Sequence, residues 1–577
     1  MAHLYTNFVG GTPNAGSVFE KTDAGALTQP VFEVPAFERR TVAINYKRST
    51  YLVGTFKRML VRDRFGAYHP AGVKAPQTKP TLADGAFGSG SEGNMIGYQT
   101  FVMKKGDVWL AESNPGPASD ILVSAGTGRV WDSLDWTPAD SHATHARGYV
   151  SVDGSFPALA WEQPISGSGT TVTENVGTAA LGETLPVIKG VDNQYRPDIY
   201  GRGIPPYTRY AEEYRDAFFY AGDPIHPERI YISRLYEPEA VNTTVQKING
   251  REEIPWLETT DGMPVTGIKR QGNELLVGTY RGIDRIQGYT FGDYAIHRVS
   301  NYWGVVSHFS MRRAGPRDSL YFMAPQGPTI YNSGSFRFIG EKIQSWWRDW
   351  FRSNPKLAED IFTVEDRFWE TVSFLLPQAD DTSRYLVVDF NSTEYSSPVW
   401  VFDYRARKDW VSEELAVNSD ANYYERFTGS CDGIVRQENV ASNADDDGDA
   451  YQKTFVLQFP HRYMGDQSGD EAHGLDFHDL DLYVKHETNS ITIQMYGGDD
   501  YAPGAFEPSW EMSSGPTSAQ NGERPWTART GEHQEPSGVS GRGVTLRLEI
   551  VAALDVECRG WGVEFEKGPA GQQPFSQ

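Results

Sequence analysis

Between Phe218 and Phe374 strand-like pairs return about every 45 to 50 residues, near the length of one four-stranded propeller blade. They run through RDAFFYAGDPIHPERIYISRL, VTGIKRQGNELLVGTYRGIDRIQGY, SHFSMRRAGPRDSLYFMAPQGPTIYNSG and RFWETVSFLLP, and RYLVVDFNSTEYSSPVWVFDYRARKDWV follows. The repeat is structural rather than literal, and the lone Trp131-Asp132 pair is no evidence for WD40 repeats. The 58 glycines, 34 prolines and 13% aromatic residues describe short strands between many turns. At 577 residues the chain exceeds one ordinary core, but a propeller holds about 300 residues in a single domain. The expected class is therefore all-β: a β-propeller with an additional β-sandwich or platform domain formed by the terminal segments.

Three regions are expected. Residues 1–80 supply N-terminal strands and an extended link, 81–440 the propeller with a long loop insertion at about 162–210, and 441–577 a C-terminal sandwich or platform. In the first region Val42, Ile44 and Tyr46 alternate before a second run from Tyr51 to Val61, which predicts a hairpin; Pro70, Pro76 and Pro80 then disfavour regular structure. Segment 162–210 is rich in Gly, Ser, Thr and Pro and reads as an excursion. GEKIQSWWRDWF, 340–351, is the helix candidate, its Ile343, Trp346, Trp347 and Trp350 spaced as a core-facing stripe. The acidic run at 441–450 marks a boundary, beyond which Val544, Leu546, Leu548 and Ile550 alternate as a half-buried strand should. The two chain ends are expected to complete a shared sheet.

The formal charge is −23, from 53 basic and 76 acidic residues. Binding to a phosphate backbone rests on Lys and Arg displacing counterions, so the bulk surface is unsuited to gripping nucleic acid. A channel with negative walls would instead repel DNA and let it slide. Cys431 and Cys558 are too few for a disulfide framework and fit synthesis in a reducing cytosol. The N-terminus shows no charged-then-apolar signal, and no apolar run approaches the roughly 18 residues a membrane helix needs, so a soluble chain is expected.

No motif carries catalysis, and no catalytic, cofactor-binding or metal-ligating residue is assigned. Gly88, Gly90 and Gly93 match GxGxxG, but GYQTFVM after them reads as a strand where a dinucleotide site needs a helix. Asp445, Asp447 and Asp449 open like a calcium loop, yet Ala450 and Val456 stand where Gly and Glu are required, so a solvated acidic turn is the reading. His142 with His145, and His473, Asp476, His478, Asp479 and Asp481, have metal-like residue types; in the latter, Leu480, Leu482 and Val484 point inward and leave Asp479 and Asp481 on the solvent face of an ordinary strand. SVDGSFPALAW, 151–161, approaches a sialidase Asp-box but has Gly154 one place early and no repeat. GxSxG, HExxH and Walker patterns are missing.

Several segments in order resemble one family, the nozzle or tail-stabilisation (tail tubular protein B-like) proteins of short-tailed phages. DGMPVTGIKRQGNELLVGTYRGIDRIQGYTFGDYAIHRVSNYWGVVSHFSM, 261–311, followed by SLYFMAPQGPTIYNSGSFRFIGEKIQSWW, is similar to the family's strand pair ending in a glycine turn, its G-x-x-S step, and its glycine–tyrosine–glycine hairpin before a short helix. AYHPAGVKAPQTKP resembles the family's link into the propeller, DAFFYAGDPIHPERIYISRLYEPEAV one of its blades, and FTGSCDGIVRQ with GRGVTLRLEIV its closing segments. The resemblance covers about two thirds of the chain and departs at 112–210 and 500–540. It implies a homo-oligomeric ring of six copies in the virion tail, assembled in the host cytoplasm. Its implied neighbours are a tail adaptor or tubular protein and tail fibres or a plug protein, with double-stranded DNA passing transiently and unspecifically. It implies no enzyme, no cofactor and no membrane contact. Two other classes fit a propeller: a tail-tip receptor-binding protein presenting the 162–210 or 497–540 loop, and a polysaccharide hydrolase with carboxylates paired across blades.

Overall fold

The computed structural model describes residues 41–377, except 55–57, 87–91, 166–170, 175–180, 190–194, 198–200, 249–250, 291–292 and 367–369; outside that span it gives mainly the backbone of strands. The chain is all-β, and its repeating unit is a four-stranded antiparallel meander, the blade of a β-propeller. Blade I (42–70) joins Val42–Tyr46, Ser49–Val53, Leu60–Arg62 and Tyr68–Pro70, and blade II (210–241) joins Tyr210–Tyr214, Ala217–Ala221, Arg229–Arg234 and Glu237–Val241. Blade III (265–300) and blade IV (312–338) follow with the same order, and a further meander runs from Phe362–Asp366 to Trp400–Arg405.

The inner strands of blades II, III and IV are apolar almost without alternation because they are covered on both faces. In blade II, Phe218 and Tyr220 pack with Tyr51, Val53 and Val61 of blade I, while their neighbours Phe219 and Ala221 pack with Ile268, Leu275 and Val277 of blade III. In blade III the next residue, Leu276, faces Leu320, Phe322 and Tyr331 of blade IV. Successive side chains of a strand point to opposite faces, so AFFYA and ELLVG each fill two cores at once. Hairpin tips are tied from blade to blade by tyrosine hydroxyls. Tyr46 donates to Asp216 Oδ1 at 3.0 Å, Tyr214 to the carbonyl of Asn273 at 2.6 Å, and Tyr331 to Glu274 Oε2 at 2.6 Å.

Between blades I and II the chain builds a separate five-stranded sheet around the long strand Glu92–Lys105, flanked by Val108–Glu112, Leu122–Ala125, His145–Val152 and Ala158–Pro164. Its own core holds Phe101, Trp131, Val150 and Trp161. Within the expected excursion at 162–210, Val172–Glu174 pairs with Arg129–Asp132, and the buried Arg129 guanidinium grips Glu174. Val187–Lys189 pairs with Tyr195–Pro197.

The run 42–61 forms the expected hairpin, Val42–Tyr46 against Ser49–Val53, and continues to Leu60–Arg62. Strands 42–70 pair among themselves and pack on blade II; His3–Phe8, Ala15–Lys21 and Phe32–Pro35 form their own sheet. Among the described residues neither set pairs with a strand beyond 441. Among the described residues beyond 441, two antiparallel sheets of four and three strands appear.

Contacts divide the chain into one unit of residues 1–338 with 358–363 and a second of 339–357 with 364–577. In the second, the helix expected at 340–351 is α1 (Gln344–Ser353), preceded by a 3-10 turn, Glu341–Ile343. Ile343, Trp347 and Trp350 are buried and Trp346 is half-buried, the core stripe read from the spacing; the rings of Trp347 and Trp350 stack at 5.4 Å.

Candidate functional site

A set of titratable side chains gathers around one backbone unit, Gly72, where three elements meet. Gly72 has φ +68°, a left-handed conformation that a side chain would strain. Its N–H donates to Glu239 Oε2 of blade II at 2.7 Å. Its carbonyl accepts from Arg58 Nη2 at 2.6 Å and from His142 Nε2 at 2.8 Å. Arg58 also donates to the carbonyl of Ala71 at 2.6 Å and forks onto both oxygens of Asp140 at 2.7 and 3.0 Å, while the Lys74 N–H reaches Asp140 Oδ2 at 2.7 Å. Blade I, the loop before His145–Val152, and blade II are thus held through one peptide.

Two imidazoles sit inside this junction. The rings of His69 and His142 lie 5.5 Å apart, tilted by 32°. His69 is 3% exposed; its Nδ1–H donates to the carbonyl of Pro70 at 3.1 Å and lies 3.9 Å from Glu239 Oε2. Its Nε2 is buried with no hydrogen-bond partner, as is Asp63 Oδ2 nearby in sequence. Burial lowers the pKa of His69 and of His142, and each imidazole also feels Arg58. Burial pushes Glu239 up to about 7, against the Gly72 N–H bond. Asp140 goes the other way: despite its burial, Arg58 and the Lys74 N–H hold it below the usual carboxylate range. These groups are packed into the junction.

A second polar centre fastens the inserted sheet to blade II. Glu112 is buried; its Oε1 accepts from Thr100 Oγ1 at 2.7 Å and the Tyr149 hydroxyl at 2.8 Å, and its Oε2 from Arg147 at 3.3 Å and from Arg202. Arg147 continues to Glu162 and Glu183, and Arg202 to Glu237 of blade II at 3.1 Å. Burial opposes the charge on both arginines, but Glu112 and its neighbours raise their pKa values. Every oxygen of this carboxylate is engaged, which suits a fastening rather than proton transfer.

The sequence candidates are separated by the structure. His142 enters the junction, whereas His145 lies on the strand His145–Val152 beside Thr144 Oγ1 at 2.9 Å, so the two do not share a site. Among the described residues no group of three His, Cys, Asp or Glu is placed to hold a metal ion. Gly93 lies in the strand Glu92–Lys105, not before a helix, while Gly88 and Gly90 lie outside the described residues. The 151–161 segment is a hairpin: Asp153 and Gly154 turn with positive φ, Asp153 Oδ1 accepts from the Asn94 N–H at 2.8 Å, and Trp161 enters the core. Asp476, His478, Asp479 and Asp481 lie on the strand Leu475–His486, described as backbone alone; Asp445, Asp447, Asp449 and His473 lie outside the described residues, as does the whole 515–539 stretch of the polar loop. Among the described residues no helix is long and apolar enough to cross a membrane. His69 and Glu239 had no local signal, since His142 and Gly72, which they meet, lie far from them in the chain or carry no side chain.

The G-x-x-S step has a physical reading. A methyl group on Gly304 would press into the carbonyl oxygens of Tyr280 and Thr279, and Ser307 Oγ donates to the carbonyl of Glu359 at 2.8 Å. We expect Gly304→Ala to destabilise the first unit by roughly 1–3 kcal/mol, because backbone rather than a flexible side chain must yield. A lowered urea midpoint with faster hydrogen exchange in 265–332 is the expected readout; an unchanged midpoint would refute the close approach.

No family model and no curated protein matches the chain. Solved structures similar to it include one named as a 6-phosphogluconolactonase of Bacteroides uniformis, at 10% identity and TM-score 0.25, covering 60% of this chain and 95% of that one. The N-terminal domain of Nup159 is similar at 10% identity and TM-score 0.23, over 64% of this chain and 83% of that one. Hsv2p of Kluyveromyces lactis is similar at 11% identity and TM-score 0.23, over 69% and 94%.

Proposed function

We propose that this chain is a non-enzymatic structural component of a phage tail, a ring-forming nozzle or tail-hub protein that closes the tail channel, retains DNA and conducts it during ejection. The observation that carries the reading is the ordered, family-like run at 261–338, which coincides with blades III and IV. Its motif residues hold blades and their links together: Gly304 allows the close approach, Ser307 bonds Glu359, and Tyr331 of blade IV bonds Glu274 of blade III. Strands buried on both faces make stiff walls, and a charge of −23 suits a lumen that passes DNA without holding it. The partners are further copies of the chain in a closed six-fold ring, a tail adaptor or tubular protein, and tail fibres or a plug, all within the virion.

Cryo-electron microscopy of particles containing the chain tests this. The expected result is a closed ring of this chain around the tail axis. A monomer on a peripheral fibre, with the 162–210 and 497–540 segments outward, would overturn the reading in favour of receptor binding. Release of reducing sugar from host polysaccharide, lost on substitution of acidic residues, would overturn its non-enzymatic part.

A further inference from the structure

We infer that the Gly72 junction is an acid-released latch: protonation of the paired His69 and His142 side chains loosens the loop before His145–Val152 from blades I and II. The geometry carries the argument. His142 Nε2–H holds the Gly72 carbonyl that Arg58 also holds, and the His69 ring lies 5.5 Å from the His142 ring, tilted by 32°. Neutral His69 uses its one N–H on Pro70 and leaves Nε2 as a buried, unpartnered acceptor. A proton there creates a buried donor with no acceptor in place and sets a cation against His142 and the Arg58 guanidinium.

The surrounding charges come from each element packed on the pair. Blade I contributes Asp63 and Arg58, the loop before His145–Val152 contributes Asp140, and blade II Glu239; the link after blade I supplies only the Lys74 backbone N–H, and Tyr51 and Tyr220 feel Glu239 and stay neutral through burial. Asp140 is already committed to Arg58 and Lys74 N–H, so it is not a free counter-ion. Both histidines have lowered pKa values in the closed state, so their stabilisation is complete above about 6.5 and is lost as pH falls below it. Glu239 works in the opposite sense. Its carboxyl is raised from 4.5 to about 7, so it favours closure most below 4.5 and loses that contribution as pH rises through 7. Two imidazoles therefore act against one carboxyl, and removing the carboxyl isolates the imidazole response.

Hydrogen exchange with mass spectrometry, corrected for the intrinsic pH dependence, tests this on the full chain at pH 7.5 and 5.0. In Glu239→Gln, which keeps an acceptor for the Gly72 N–H, segments 71–74 and 140–146 should lose protection at least ten-fold on acidification relative to 319–332 of blade IV. A ten-fold loss is what one imidazole produces when the open state takes up a proton that the closed state refuses across a full pH unit. The wild type should show a smaller loss in the same segments. Adding His69→Gln and His142→Gln should abolish the differential loss; if that variant does not fold, His142→Gln alone, whose amide can still donate, should reduce it. Equal loss in 319–332, or no loss in Glu239→Gln, would overturn the latch.

Discussion

Replacing Glu112 with alanine should lower the stability of the first unit by about 3–5 kcal/mol, one of the two largest effects expected in this molecule. The reason is what stays behind rather than what is lost. Arg147 and Arg202, with side chains 10% and 12% exposed, would face each other across the emptied position, each keeping only outer carboxylates. Thr100 Oγ1 and the Tyr149 hydroxyl would lose their acceptor at the same time. A buried cation without its partner costs more than the pair contributes, so replacing both ends with apolar groups should be milder. Glu112→Met combined with Arg202→Met is accordingly expected to lie closer to wild type than Glu112→Ala does. Urea unfolding followed by hydrogen exchange in 98–112 and 237–241 reads both. If the double variant were as weak as the single one, the ionic fastening would be a favourable bond in its own right and the desolvation argument would fail.

How far the fold was legible follows from what each residue pattern reports. Alternation and turn residues report local pairing, and the hairpin at 42–53, the helix stripe at Ile343, Trp347 and Trp350, and the returning meanders of blades II to IV all came from such local signals. Which sheet a strand joins is a long-range matter. GYQTFVM looks like any blade strand, yet it belongs to a sheet set between blades I and II, because its pairing partners at 108–112 and 145–152 are not distinguished by composition. The junction was illegible for the same reason. His69, His142 and Glu239 come from widely separated segments, whereas sequence spacing paired His142 with His145, its neighbour in the chain but not in space. The glycine and serine of the G-x-x-S step were visible as a pattern; only the folded chain shows that Gly304 lies against backbone and that Ser307 reaches Glu359.

Acid should unfold the first unit chiefly through His308. This imidazole is 6% exposed, stacks on Tyr210 at 4.7 Å, and accepts the Ile268 N–H on Nδ1 at 3.2 Å. Burial, with a smaller contribution from Lys269, lowers its pKa from 6.5 to about 3. The unfolded chain thus takes up a proton below 6.5 that the folded chain refuses until about 3. Stability is complete above 6.5 and falls through that window by up to about 1.4 kcal/mol per pH unit, at most about 5 kcal/mol in all. His69, His142 and His145 add to the same limb, while Glu239 opposes it. His308→Asn keeps an acceptor for the Ile268 N–H and cannot take the proton. It should be less stable than wild type at pH 7, by roughly 1–3 kcal/mol for the lost ring packing, yet decline less steeply between pH 6 and 4. Urea titrations at a series of pH values, followed by hydrogen exchange in 265–279, should show the two stability curves converging and then crossing. Parallel curves would mean that His308 is already charged in the folded chain, and the stacking on Tyr210 would then have to be read as a cation over a ring.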